Sequence, residues 1–137
     1  MAEASSGMEV IRQFIPASPF VGHVGIKLEE LEPDRAVLSL PFSEQVTTLG
    51  EVVHGGVIAS LADTAAMAAS WATEEIPENL RGTTVGLTIS YLTAASSQDL
   101  TAEARVIRRG KNLCFVDVEI SGSKGLVAKA LVTYKLG

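Results

Sequence analysis

Asp63 is the residue of this 137-residue chain whose setting most calls for a chemical explanation. It interrupts an apolar, alanine-rich run, and an ionised carboxylate in such a run must be paired, hydrated or used. At helical spacing its neighbours are Ala59, Ser60, Ala66 and Met67, none of them cationic. Two readings stay open at this point: a carboxylate satisfied by a hydroxyl or amide from elsewhere in the fold, or a general base or nucleophile.

Gly55-Gly56 opens the same run. A helix beginning there leaves amide groups unshielded by side chains at the positive end of its dipole. Such donors can polarise a carbonyl and stabilise the negative charge that develops on it; a glycine pair can also serve tight turning alone. Gly55 and Asp63 are eight residues apart, ~12 Å along a helix axis, so one carbonyl cannot touch both within one helix. A two-fold dimer with antiparallel central helices would bring Gly55 of one subunit to Asp63 of the other and build the site twice.

His54, just before the glycines, is expected to orient this turn, and His23, flanked by glycines, to be structural. The two histidines and Cys114 do not make a metal-ligand spacing, and the chain has no Gly-x-Ser-x-Gly nucleophile elbow. No metal and no cofactor are expected. Cys114 sits in Leu113-Cys-Phe-Val116 and reads as a small buried hydrophobe. Arg108, Arg109 and Lys111 form the densest basic cluster: a solvated hairpin tip, or a grip for nucleotide phosphates.

These residues need elements to position them. Apolar residues at helical spacing predict a helix over 8–15, ended by Pro16. Residues 18–25 read as a turn-rich connector. Partial alternation on either side of Pro33-Asp34 predicts a hairpin over 26–42, and 43–54 reads as a loop. The longest helix is expected over 55–72, buried on most sides. Strands are expected over 83–92, 100–108, 112–120 and 126–135, joined as a meander. A curved antiparallel sheet wrapped around one central helix follows, an α+β class.

Composition narrows the function. Hydrophobic residues make up 47% of the chain and aromatics 5%, so aliphatic side chains must fill the core, with surface left for a subunit interface. A net charge of -5 argues against a nucleic-acid binder. No run reaches the ~18 apolar residues of a membrane span. The opening segment lacks the basic and apolar regions of a leader peptide, and a single cysteine suits a reducing compartment, so a cytoplasmic address is expected.

The run His54-Gly-Gly-Val-Ile-Ala-Ser-Leu-Ala-Asp63 resembles the signature of hotdog-fold thioesterases of the phenylacetate-degradation (PaaI-like) and thioesterase superfamily member 2 type. Thr84-Val-Gly-Leu-Thr-Ile-Ser-Tyr-Leu92 is similar to the family's strand after the helix, and Gly110-Lys-Asn-Leu-Cys-Phe-Val-Asp-Val118 to its later hairpin. The resemblance covers the chain from about Phe20, which implies a helical extension over 1–19 and a hotdog domain over 20–137. It implies an acyl-CoA thioesterase acting as a homodimer, further paired into a tetramer, with acyl-CoA as its partner molecule. By motif, Gly55 polarises the thioester carbonyl, Asp63 of the facing subunit is nucleophile or general base, His54 supports them and Thr84 helps position water. Gly56, Thr48, Arg108, Arg109 and Lys111 are implied contacts of substrate or coenzyme A. Family members commonly carry an asparagine about six residues before the histidine; here the segment is Thr47 to Val53, so a threonine hydroxyl is what the chain offers there. A non-catalytic acyl-CoA-binding module and a hotdog hydratase are the rival readings.

Overall fold

A computed structural model describes residues 3–137; the first two residues of the amino-terminal extension lie outside the described residues. Helix α1 spans Gly7–Ala17 and runs one residue past Pro16, which removes a backbone donor from its last turn and ends it there. The Ser6 hydroxyl caps it by accepting from Glu9 N–H at 3.1 Å. Ile11 and Ile15 are buried in the core, and Gly7 and Met8 N–H donate to the Glu75 and Thr73 carbonyls.

Residues 18–25 are not an open connector. They hold a second short helix, α2, Pro19–Val24, with proline in its first turn and Gly25 left-handed (φ 94°) just after it. Those are the start and stop signals of a helix, and the glycines at 22 and 25 disguise it as a loop.

Strand β1 (Lys27–Glu32) and strand β2 (Arg35–Leu40) form the expected hairpin, with Asp34 at φ 62° in its turn. A single 3-10 turn, Glu44–Val46, and two isolated bridges organise the loop before helix α3, Gly55–Trp71. Strands β3 (Gly82–Tyr91), β4 (Leu100–Arg109), β5 (Leu113–Gly122) and β6 (Gly125–Leu136) follow. All pairings are antiparallel, in the order β1-β2-β4-β5-β6-β3.

That order corrects the simple meander, because β3 pairs with β6 and not with β4. The β4 edge is taken by β2, whose buried Ala36, Leu38 and Leu40 lie opposite Ala104, Ala102 and Leu100. The chain therefore crosses from β3 to the middle of the sheet, and only β4, β5 and β6 are joined as sequential hairpins. Six strands curve around α3, whose Leu61, Ala62, Ala65, Ala66, Ala68 and Ala69 are fully buried. This is the hotdog arrangement. Small side chains let helix and sheet approach closely, and Trp71, the last helical residue, donates from Nε1 to the Tyr134 hydroxyl at 2.9 Å.

The two sheet edges differ. Edge strand β1 carries Lys27, Glu29, Glu30 and Glu32 in exposed positions, which discourages further pairing. Edge strand β3, Gly-Thr-Thr-Val-Gly-Leu-Thr-Ile-Ser-Tyr, has no charge at all and is mostly exposed.

Candidate active site

The site is built on the first turn of α3. His54 is its N-cap, in extended conformation (φ -61°, ψ 134°), and its Nδ1 accepts from Gly56 N–H at 2.8 Å. An accepting Nδ1 places the proton of the neutral ring on Nε2, so the imidazole is an outward donor and not a free base at Nδ1. The His54 carbonyl accepts from Val57 and Ile58 N–H at 2.9 and 3.1 Å. The first-turn amides of Gly56, Val57 and Ile58 are thus occupied. Gly55 N–H has no acceptor among the described residues.

Gly55 borders a 430 Å³ cleft with Thr48, Val52, Ile58, Tyr91 and Thr93 in its walls. The sequence reading did not single out Tyr91. Its hydroxyl donates to the Gly55 carbonyl at 2.7 Å, and its ring lies where a β-carbon on Gly55 would touch it at 3.4–3.5 Å. On the other side of the same turn, Gly56 and His54 border a second cleft of 430 Å³ with Phe20, Val24, Val46 and Val57. The helix start therefore stands between two clefts, one bordered by Gly55 and Tyr91, the other by apolar side chains together with His23, Gln45 and Ser60.

Asp63 lies two turns further along. Ten residues of α3 are buried; Gly55, Gly56, Val57, Ala59, Ser60, Asp63 and Met67 are not, and beyond the first turn Ala59, Ser60, Asp63 and Met67 follow at intervals that set them in one stripe along the helix. Asp63 is therefore half-buried on the less covered side of α3. Thr84 on β3 donates from Oγ1 to Asp63 Oδ1 at 2.5 Å, and no donor reaches Oδ2 among the described residues. Burial pushes the Tyr134 phenol above its ordinary range; the Trp71 N–H works against that, while the Asp63 charge adds to it. One carboxylate oxygen is fixed by a hydroxyl and the other is open, an arrangement that suits a base or nucleophile held in one orientation.

The structure brings His54, Gly55, Gly56 and Thr48 together at one end of α3, and joins Asp63 to Thr84 further along. It does not bring the basic cluster to them within one protomer. Arg109 pairs with Asp34 at 2.7 Å and donates to the Ser70 carbonyl at 2.9 Å and to Cys114 Sγ at 3.2 Å. It thereby caps the carboxyl end of α3, ~24 Å along the axis from Gly55. Arg108 and Lys111 are exposed and have no ion-pair partner among the described residues. Cys114 is buried, which raises its thiol above the ordinary range, with Arg109 and Ser70 offsetting part of the effect.

The model of the thioesterase superfamily matches residues 50–129, a span that contains the helix start, Asp63, Thr84 and the β4–β5 hairpin. The chain belongs to the thioesterase superfamily. Among relatives, a Saccharolobus solfataricus protein provisionally named an esterase is 33% identical, over 90% of this chain and 81% of its own. The medium/long-chain acyl-CoA thioesterase YigI of Escherichia coli is 31% identical, over 90% and 89%. Among solved structures, zebrafish thioesterase superfamily member 2 is 27% identical with a TM-score of 0.79, covering 95% of each chain. The resemblance read from the motif to the thioesterase superfamily member 2 type therefore holds over nearly the whole domain. The superfamily takes its name from thioester hydrolysis, and no helix among the described residues is long and apolar enough to cross a membrane.

Proposed function

We propose that the protein hydrolyses an acyl-CoA thioester, with an aromatic or a medium- to long-chain acyl group, to the free acid and coenzyme A at a site shared by two protomers. The observation that carries this reading is the single uncommitted amide of Gly55 at the positive end of α3, beside a cleft. In the reaction one water is consumed, the carbon–sulfur bond breaks, and the thiolate leaves and is protonated. Gly55 N–H meets the oxyanion. Asp63 of the partner subunit either takes the proton of a water that attacks the carbonyl carbon, or attacks that carbon itself and expels the thiolate to form a mixed anhydride, which water then cleaves.

A dimer is supported by three features. One protomer keeps Gly55 and Asp63 ~12 Å apart, Asp63 lies on the incompletely buried stripe of α3, and the β3 edge is free of charge. A second copy related by a two-fold axis would pair that edge and lay the two stripes together. Leu113, Phe115 and Leu131 are exposed on the outer face of β5 and β6, a further apolar surface that fits association of two dimers. Arg108 and Lys111 are the proposed nucleotide contacts. The proposed setting is the cytoplasm, where the thiol of Cys114 stays reduced.

The test is thiol release from a panel of aromatic and aliphatic acyl-CoAs by wild type, Asp63→Asn and Asp63→Ala. Wild type is expected to release thiol and both variants to lose that activity while still binding acyl-CoA. Binding without release by wild type on every substrate would make the protein a binding module. After single-turnover hydrolysis in ¹⁸O-water, label in the Asp63 carboxylate identifies a nucleophile whose anhydride water opens at the Asp63 carbon, because a general base passes the water oxygen to the product acid alone.

A further inference from the structure

Gly55 has no side chain to hold it and stands at a helix end, where the backbone is freest. Both peptide units flanking its α-carbon are nevertheless anchored. The unit before it is held through the His54 carbonyl by two amides of the first turn. The unit after it is held at both poles, its carbonyl by the Tyr91 hydroxyl at 2.7 Å and its Gly56 N–H by His54 Nδ1 at 2.8 Å. Each of these bonds fixes the plane of a peptide and leaves Gly55 N–H without a partner. The Tyr91 ring adds contact along Gly55 itself.

We propose that Tyr91 is a positioning residue that aims the Gly55 amide, an inference that rests on the thioesterase reading for its catalytic consequence. Tyr91 acts through the carbonyl of the Gly55–Gly56 peptide, and the reacting atoms meet only the amide. The hydrogen bonds run in one direction, from the tyrosine hydroxyl through that peptide to the imidazole, so each polarises the next. The same strand delivers Thr84 to Asp63. Between Thr84 and Gly86 the β3–β6 register slips by one residue, and this bulge sets Thr84 and Tyr91 on the same face of β3, toward α3. A single strand therefore orients the oxyanion donor and the carboxylate of its own protomer. In a two-fold dimer those two groups serve different sites, so β3 of each protomer supports both.

The experiment is Tyr91→Phe, which keeps the ring against Gly55 and removes only the hydroxyl. Misplacing a catalytic group by about 1 Å can lower a rate ~100-fold, and loss of one of several anchors is expected to lower kcat about tenfold with KM within about twofold. By NMR, the Gly55 carbonyl ¹³C resonance is expected to move and the Gly56 amide, bonded to His54 Nδ1, to exchange faster in a protein that stays folded. Unchanged kcat, or an unchanged Gly55 carbonyl resonance, overturns the proposal. A rise in KM with Gly55 unperturbed overturns it too, because Tyr91 would then be a substrate contact. If wild type releases no thiol from any acyl-CoA, the hydrolase reading fails on its own, and the NMR comparison still decides for or against the clamp.

Discussion

Replacing Gly55 by proline separates the amide donor from everything else that glycine does. Gly55 is the first residue of α3, the helical position where proline is most readily accepted. The residue before a proline must be extended, and His54 already is, at φ -61° and ψ 134°. No hydrogen bond is lost, because Gly55 N–H has no acceptor among the described residues. A β-carbon at this position meets the Tyr91 ring at 3.4–3.5 Å, which is ordinary contact. Folding stability should therefore hold or rise, since exchanging glycine for proline at a compatible position stabilises by ~0.4–1 kcal/mol through the unfolded chain. Catalysis should move the other way. Loss of one oxyanion donor costs ~2.7–4 kcal/mol, a fall of ~100- to 1000-fold in kcat. The assay pairs thermal unfolding with steady-state thiol release, and Gly55→Ala is the control that adds a β-carbon while keeping the amide. Alanine is expected to stay within about tenfold of wild type. A proline variant with wild-type kcat would refute the amide's role, and one that unfolds several degrees early would show that the amide was committed to a bond after all.

Mixing Gly55→Pro with Asp63→Ala should restore activity that neither has alone, to about a quarter of wild type, since half of randomly exchanged dimers would carry one intact site of two. No recovery after demonstrated subunit exchange would count against the shared site. Arg109→Met strips the Asp34 ion pair and the cap on the Ser70 carbonyl, so urea unfolding should report a loss of ~1–3 kcal/mol, with KM for acyl-CoA little changed. Arg108→Ala and Lys111→Ala should do the reverse, raising KM in a salt-dependent way at nearly constant stability. The Arg35 guanidinium holds the Glu103 carboxyl below its usual range. A carboxyl whose folded value is depressed stabilises the fold above its unfolded value and loses that contribution as pH falls through the folded one. Arg35→Gln should therefore flatten the acid limb of stability against pH below about 4.5, measured by thermal midpoints.

The fold was largely legible because its strongest signals are local. An alanine-rich run bounded by Gly55 and Trp71 has one secondary structure open to it, and alternating strands with polar turns have another. The separation on which the proposed dimer rests was equally accessible, since the rise of a helix alone sets Gly55 and Asp63 too far apart for one carbonyl. Helix α2 escaped detection because Gly22 and Gly25 look like loop residues, although proline at the start and a left-handed glycine after the end are helix punctuation. The cap role of Arg109 escaped because its partners, Asp34 and Ser70, are 75 and 39 residues away. Nothing near it in the sequence distinguishes a buried-end cap from a free hairpin arginine.

Tyr91 marks a deeper limit. Thr84 and Tyr91 are seven residues apart, and strict alternation along a strand sends residues at odd spacing to opposite faces. On that rule, a strand that offers Thr84 to Asp63 would turn Tyr91 away from α3. The extra residue at Val85 reverses the parity: Thr84 lies opposite Tyr134, Gly86 opposite Thr133, and Tyr91 opposite Ala128, whose buried side chain faces the helix with that of Tyr134. Val85 is itself exposed at 54%, as expected of a residue left out of the pairing. A bulge is defined only relative to the partner strand, and β6 lies more than forty residues further along the chain. The tyrosine that clamps the amide and the threonine that holds the carboxylate can therefore be recognised as one construction only once β3 has been paired.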